Sequence, residues 1–242
     1  MKDYLRNSAI MAFGWLAFLV MMVISGMISE TYRFLVLLVI PGGFLVVTGL
    51  LFTYLALKYP RGYAVTIWPI LGLVFLDQGI KLLVYFIGVE QLNLQIIPDL
   101  IYLQPQYNTY GSYLGSLLGM EISNLSYIVL YIVFAFFIIE GYHFYLSRNE
   151  KNFWTSSFYL SLVAGICASS LDKLLWGKTL DTLYIKPLFV CDIKDFYITY
   201  ALFFLGAEII RQGYLASKTT LKEDWLLLKE FFHFIGRRRC QR

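Results

Sequence analysis

Long apolar stretches alternate with short polar ones along this chain. Six of them, 8–29, 34–57, 66–89, 125–147, 153–172 and 195–215, predict membrane-crossing helices, because a helix needs roughly 20 apolar residues to span a bilayer. The apolar core of the first is too long for a cleaved leader, and no small-residue cleavage site follows it cleanly. It is therefore read as a span. "VIPGGF" inside the second predicts a kink, since Pro41 has no N–H to donate and the glycines beside it loosen the helix. The two halves of the chain share no internal repeat.

Composition agrees with that pattern. The chain has 242 residues, 59% of them hydrophobic and only 15% charged, against about 25% charged in a soluble domain. The fold class expected is an all-α integral membrane protein of about six helices, with an outer loop segment and a small β element at the interface. Basic residues set the orientation. Lys2, Arg6, Lys58, Arg61, Arg148, Lys151, Arg211 and the run Arg237, Arg238 and Arg239 fall on one side. The outer segment 90–124 has no lysine or arginine at all. Both termini are therefore expected in the cytoplasm, with 173–194 and its lysines the one exception to the bias. The stretch "TTLKEDWLLLKEFFHFIGRRR", where Leu221, Trp225, Leu228 and Phe232 recur at near-helical spacing, predicts an amphipathic helix on the cytoplasmic surface. Thr220 is its cap, and its arginine cluster is attracted to anionic lipid.

Acidic residues change the picture at two points. "SSLDKLLWGKTLD" closes the fifth apolar run, and Asp195 opens the sixth. Run five goes outward and run six returns, so Asp172 and Asp195 lie at the same outer membrane level on helices joined by one loop. Two facing carboxylates share a proton. Such a pair can deprotonate a water and protonate a leaving amine, which is aspartic-protease chemistry. Two ordinary readings stand beside it: carboxylates solvated by headgroup water, or a helix N-cap at Asp195. Asp77 and Lys81, four residues apart inside the third run, predict an intrahelical ion pair. Glu140 and Glu208 suggest either a proton path or pairing with nearby polar groups.

Other chemistries find little support. Cys167, Cys191 and Cys240 are widely spaced and read as small apolar filler. His143 and His233 are far apart and have no partner at metal-ligand spacing, so no metal and no cofactor are expected. There is no phosphate loop and no nucleophile elbow. The basic cluster is short and membrane-adjacent, which argues against nucleic acid.

The order of these motifs resembles lipoprotein signal peptidase, the type II signal peptidase of bacteria. That family's D-Q-x-x-K block is similar to Asp77, Gln78 and Lys81. Its outer segment resembles "IIPDL" followed by "YNTYGSYLG", with Asn108 as the motif asparagine and Gly111 one residue late. Its G-N-x-x-D-R block resembles "ASSLDK", with Gly177 and Asp181 at the family's later positions, and its F-N-x-A-D block resembles "CDIKD". Here Ala168 and Ser169 stand for Gly and Asn, Lys173 for Arg, Asp192 for Asn and Lys194 for Ala.

The resemblance implies Asp172 and Asp195 as catalytic. It implies Asn108, Gly111, Asp77, Lys81, Ser169, Lys173, Asp181 and Asp192 as residues that bind substrate or support the site. The implied partners are membrane lipids and a lipid-modified prolipoprotein cut near the outer interface, and the implied location is the bacterial cytoplasmic membrane. It divides the chain into two additional N-terminal helices (1–62), a four-helix core with the outer segment 90–124 (63–215), and a cytoplasmic interfacial helix with a basic tail (216–242). Two other functions fit the same residues. One is a non-cleaving relative that binds lipidated peptides. The other is a small proton-coupled transporter using Asp77, Glu140 and Glu208.

Overall fold

A computed structural model describes residues 2–108, 123–214 and 220–240, with the side chains of 239 and 240 excepted. The chain is mostly helical, with helices α1 (Lys2–Ile24), α2 (Thr31–Lys58), α3 (Ile67–Ile87), α4 (Asn124–Leu146), α5 (Phe153–Leu171), α6 (Ile193–Arg211) and α7 (Leu221–Cys240). The strands are β1 (Leu94–Ile97), β2 (Ile101–Asn108), β3 (Thr179–Ile185) and β4 (Phe189–Cys191). The helices α1 to α4, and α5 with the turn that follows it, are long and apolar enough to cross a membrane. The sixth, α6, has 19 residues and carries Lys194, Asp195, Glu208 and Arg211 near its ends. Large apolar side chains such as Trp68, Phe75 and Phe86 are exposed, as suits a surface whose solvent is lipid.

Helix α2 runs on through Pro41. Helices α1 and α2 form a hairpin. A Cβ at Gly49 would sit 3.0 Å from Ser8 Cα, so the glycine sets how close the two helices come. Asn7 donates to Thr53 (3.1 Å) and Trp15 to the Leu37 carbonyl (2.9 Å), which satisfies polar groups that lipid cannot. One end of the hairpin packs Met11 and Phe52 on Phe153, Trp154, Phe203 and Phe204 of α5 and α6. The other end packs Leu19, Met22 and Leu37 under Leu100 and Leu188.

The core is α5 against α6. Gly165 makes their approach possible, since a Cβ there would lie 2.8 Å from Ile198 Cγ1. Helix α3 packs Ile70 and Val74 on Val163, Ala164 and Tyr197. Asn152 caps α5 by accepting from the backbone N–H groups of Trp154 and Thr155, with Thr155 reciprocating. Thr220 and Glu223 cap α7 in the same reciprocal way. α7 packs Phe231 and Phe234 on Phe144 of α4.

The β element is larger than the sequence suggested. The connection between α5 and α6 is not a plain loop. It begins with a π-helical turn, Asp172–Trp176, closed by Gly177 at φ 66°, and then forms the hairpin β3–β4. With β1 and β2 it builds one antiparallel sheet in the order β1-β2-β3-β4. Tyr102 pairs with Tyr184 and Gln106 with Asp181, and the register shifts between Leu103 and Gln106. Pro105 lies in that gap, where a residue without an N–H costs the ladder least.

Candidate active site

Four elements converge where α5 ends and α6 begins. Helix α3 brings Asp77, Gln78 and Lys81 on one face. The π-helical turn brings Asp172, β3 brings Asp181, and the start of α6 brings Asp192, Lys194 and Asp195. Asp77, Lys81, Asp172 and Asp192 are all at most 1% exposed. Charges buried so deeply need partners, and they have them.

Lys81 is the hub. Its ammonium lies 2.9 Å from Asp77 Oδ2, 2.7 Å from Asp172 Oδ2 and 2.7 Å from Asp192 Oδ2. The expected intrahelical pair with Asp77 is therefore only one of three ion pairs. Lys194 is the second cation, 3.2 Å from Asp172 Oδ2 and in direct contact with Asp192. Its backbone N–H donates to Asp77 Oδ1 (3.1 Å). Gln78 donates to Asp77 (3.0 Å) and Asp172 (2.8 Å), and its carbonyl accepts from Trp176 Nε1 (3.2 Å).

The carboxylates form two overlapping groups. Asp77, Asp172 and Asp192 each bring an oxygen within 4.8 Å of the others, and so do Asp181, Asp192 and Asp195. The first spacing would suit a cation, and the cation there is the Lys81 ammonium. Asp192 belongs to both groups. It also caps α6, accepting from the Asp195 N–H (3.3 Å) while its own N–H donates to Asp195 Oδ2 (3.0 Å). The sequence called Asp195 a possible cap; in the structure Asp192 is the capping residue and Asp195 its reciprocal partner.

The remaining predicted residues that the structure describes lie around this centre. Asn108 on β2 donates to Asp181 Oδ2 (3.1 Å). Burial pushes the Asp181 carboxyl up to about 6, and the nearby Asp192 charge adds to the rise against the opposing pull of Lys194. Ser169 is buried one turn before Asp172. Lys173 is buried too, with its ammonium 5.0 Å from the Tyr127 ring centre. Gly111 lies outside the described residues. Gln78, quoted in the first motif, and Lys194, noted as a departure, both prove to be site members in contact with Asp172.

The opposite end of the core holds the other acids. Glu208 accepts from Arg211 (2.7 and 2.6 Å) and from Asn152 (3.1 Å), and it also bonds Tyr145. Glu140 pairs with Arg238 (3.2 Å). Both acids are paired, in line with the ordinary reading.

The signal peptidase (SPase) II family model matches residues 69–211, more than half of the chain. The chain belongs to the signal peptidase II family. Two solved structures share the fold, both of bacterial membrane enzymes determined by the in meso method. One, at 2.3 Å resolution, is 15% identical with a TM-score of 0.55, and the match covers 67% of this chain and 98% of that one. The other, at 1.9 Å, is 16% identical with a TM-score of 0.51, covering 59% and 90%. No curated protein matches the chain. As a signal peptidase II family member, the chain is a multi-pass membrane protein of a peptidase family. Its α1–α2 hairpin lies before the matched region.

Proposed function

We propose that this protein is an aspartic endopeptidase that removes the signal peptide of lipid-modified prolipoproteins at the outer membrane interface. The observation that carries the reading is the convergence of Asp172 and Asp195 on one buried centre, each grouped with Asp192, within the matched family region. Asp172, with lysine ammoniums on its oxygens, takes a proton from water. The hydroxide forms the new C–O bond at the scissile carbonyl. Asp195, among the carboxylates of Asp181 and Asp192, supplies the proton that lets the amine leave as the C–N bond breaks. The sheet formed with the outer segment clamps the extended substrate, and Asn108 orients Asp181 beside it.

The test is cleavage by the purified full chain in lipid nanodiscs. A prolipoprotein carrying a diacylglyceryl cysteine is cut, and the same protein without the lipid is not. Equal cutting of both, or of neither, overturns the reading.

One observation favours a second reading. The Lys194 ammonium rests on both Asp172 and Asp192, and a permanent ion pair there weakens Asp172 as a base. A relative silenced in this way would bind lipidated peptides without cutting them. It would keep that binding in Asp172→Asn and Asp195→Asn variants.

A further inference from the structure

Asp172 takes donors of two kinds. Lys81 and Lys194 supply ammoniums, 2.7 and 3.2 Å from Oδ2, and Lys81 also lies 2.8 Å from Oδ1. Gln78 supplies an amide, 2.8 Å from Oδ1. An ammonium is a compact charge with three rotatable donors on a flexible stem. It holds the carboxylate's charge and leaves its tilt loose. A planar amide donates along fixed directions. Gln78 is thus the donor that sets how the Asp172 carboxylate is turned.

The Gln78 amide is itself held from its other side. Its Oε1 accepts from Trp176 Nε1 (3.2 Å), while its Nε2 donates to Asp77 (3.0 Å) as well as to Asp172. An indole N–H donates and never accepts. Turned over, the amide would set its oxygen against both carboxylates and its N–H groups against the indole. The Trp176 ring rests against Tyr85 of α3, with centroids 5.4 Å apart, so the indole is braced by the helix that carries Gln78. Asp172 and Trp176 are the first and last residues of the π-helical turn. One amide on α3 therefore binds both ends of the turn that carries the proposed catalytic carboxylate. Trp176 stands at none of the positions that the family's motifs single out.

We propose that Trp176 is a positioning residue for Asp172: through the Gln78 amide it fixes the direction of the carboxylate that meets the attacking water. The proposal rests on the peptidase reading for what that carboxylate does. A side chain that acts this way governs turnover more than substrate binding. Its effect also disappears once the amide it acts through is gone.

The test is a double-mutant cycle of Trp176→Phe and Gln78→Met in the full chain in nanodiscs, read first on Asp172 itself, which does not require cleavage. In protein with carbon-13 aspartate carboxyls, the Asp172 signal is the one that Asp172→Asn removes. Trp176→Phe keeps an aromatic ring against Tyr85 and lacks the N–H. It should shift the Asp172 signal in the wild-type background and leave it in place in Gln78→Met. Benzothienylalanine at position 176 has the two-ring shape with sulfur in place of the N–H. It should give the same shift, which separates the hydrogen bond from packing. With a diacylglyceryl-modified prolipoprotein, kcat of Trp176→Phe should fall about tenfold, the scale of one hydrogen bond, while KM stays within about twofold. Equal shifts in both backgrounds, or no shift in either, overturn the proposal. A wild type that cuts, with Trp176→Phe at full kcat, sinks the role of Trp176 alone. The expected shifts in a folded wild type that never cuts support the positioning and remove the peptidase reading.

Discussion

The Lys194 ammonium lies 3.2 Å from Asp172 Oδ2 while its backbone N–H holds Asp77. One residue thus ties the start of α6 to the π-helical turn and to α3. The side chains in direct ion-pair contact here are Asp77, Asp172 and Asp192 with Lys81 and Lys194, three carboxylates to two ammoniums.

That count orders a set of variants. Lys194→Ala leaves three carboxylates around one ammonium and costs stability on the scale of a broken buried pair, about 3–5 kcal/mol. Asp192→Asn leaves Asp77 and Asp172 with Lys81 and Lys194 in direct contact, two carboxylates to two ammoniums, and asparagine is an equally good N-cap, so it costs much less. In the double variant, Asp192→Asn recovers part of the Lys194→Ala loss, a coupling of about 1–3 kcal/mol. Thermal unfolding in detergent micelles reads the cycle. Strictly additive losses would show that Lys194 is not held by Asp192.

Lys81→Met removes the cation shared by all three carboxylates of the first group. We expect a loss of about 3–5 kcal/mol. The comparison is Lys186→Met, which breaks a long, exposed pair with Asp99 (4.0 Å) and should cost under about 1 kcal/mol. The two are compared by unfolding midpoint and by yield of monodisperse protein. Similar midpoints would contradict the buried network.

Much of the helical frame was legible in the chain. Hydropathy alone placed helices within a few residues of α2 to α5, because lipid exposure demands nearly continuous apolar runs. The first run was placed late: α1 begins at Lys2, since helix continues through polar residues such as Asn7 that bond across to α2. The strands β3 and β4 were not foreseen. "TLDTLYI" does not alternate strictly, and its pairing partner lies more than 70 residues earlier. The site shows the same boundary. Asp172 and Asp195 stand out by position, but Asp192 as the member common to both carboxylate groups depends on contacts from α3 and β3 that no local spacing encodes.

Asp181 gives a pH dependence of known sign. Its folded carboxyl titrates near 6, above the ordinary carboxylate value. From about pH 4 to 6 the folded state therefore holds a proton that the unfolded state has lost, and stability falls as pH rises through that window. Above pH 6 the full penalty remains, at most about 3 kcal/mol. Asp181→Asn keeps an oxygen that can accept from Asn108 and removes the ionisation. The fall in unfolding midpoint between pH 4 and 6 should shrink in that variant. An unchanged slope would mean that another group produces it.

In the proposed function, Asp172 and Asp195 together hydrolyse a peptide bond. Its most direct measurement is a mobility-shift assay with a diacylglyceryl-modified prolipoprotein in nanodiscs, run with the wild-type chain, Asp172→Asn and Asp195→Asn. Wild-type protein should produce the shifted product, and each variant should insert and purify normally but lose at least a thousandfold in rate. Cleavage that persists in either folded variant would contradict the claim, as would a folded wild-type chain that leaves the substrate intact.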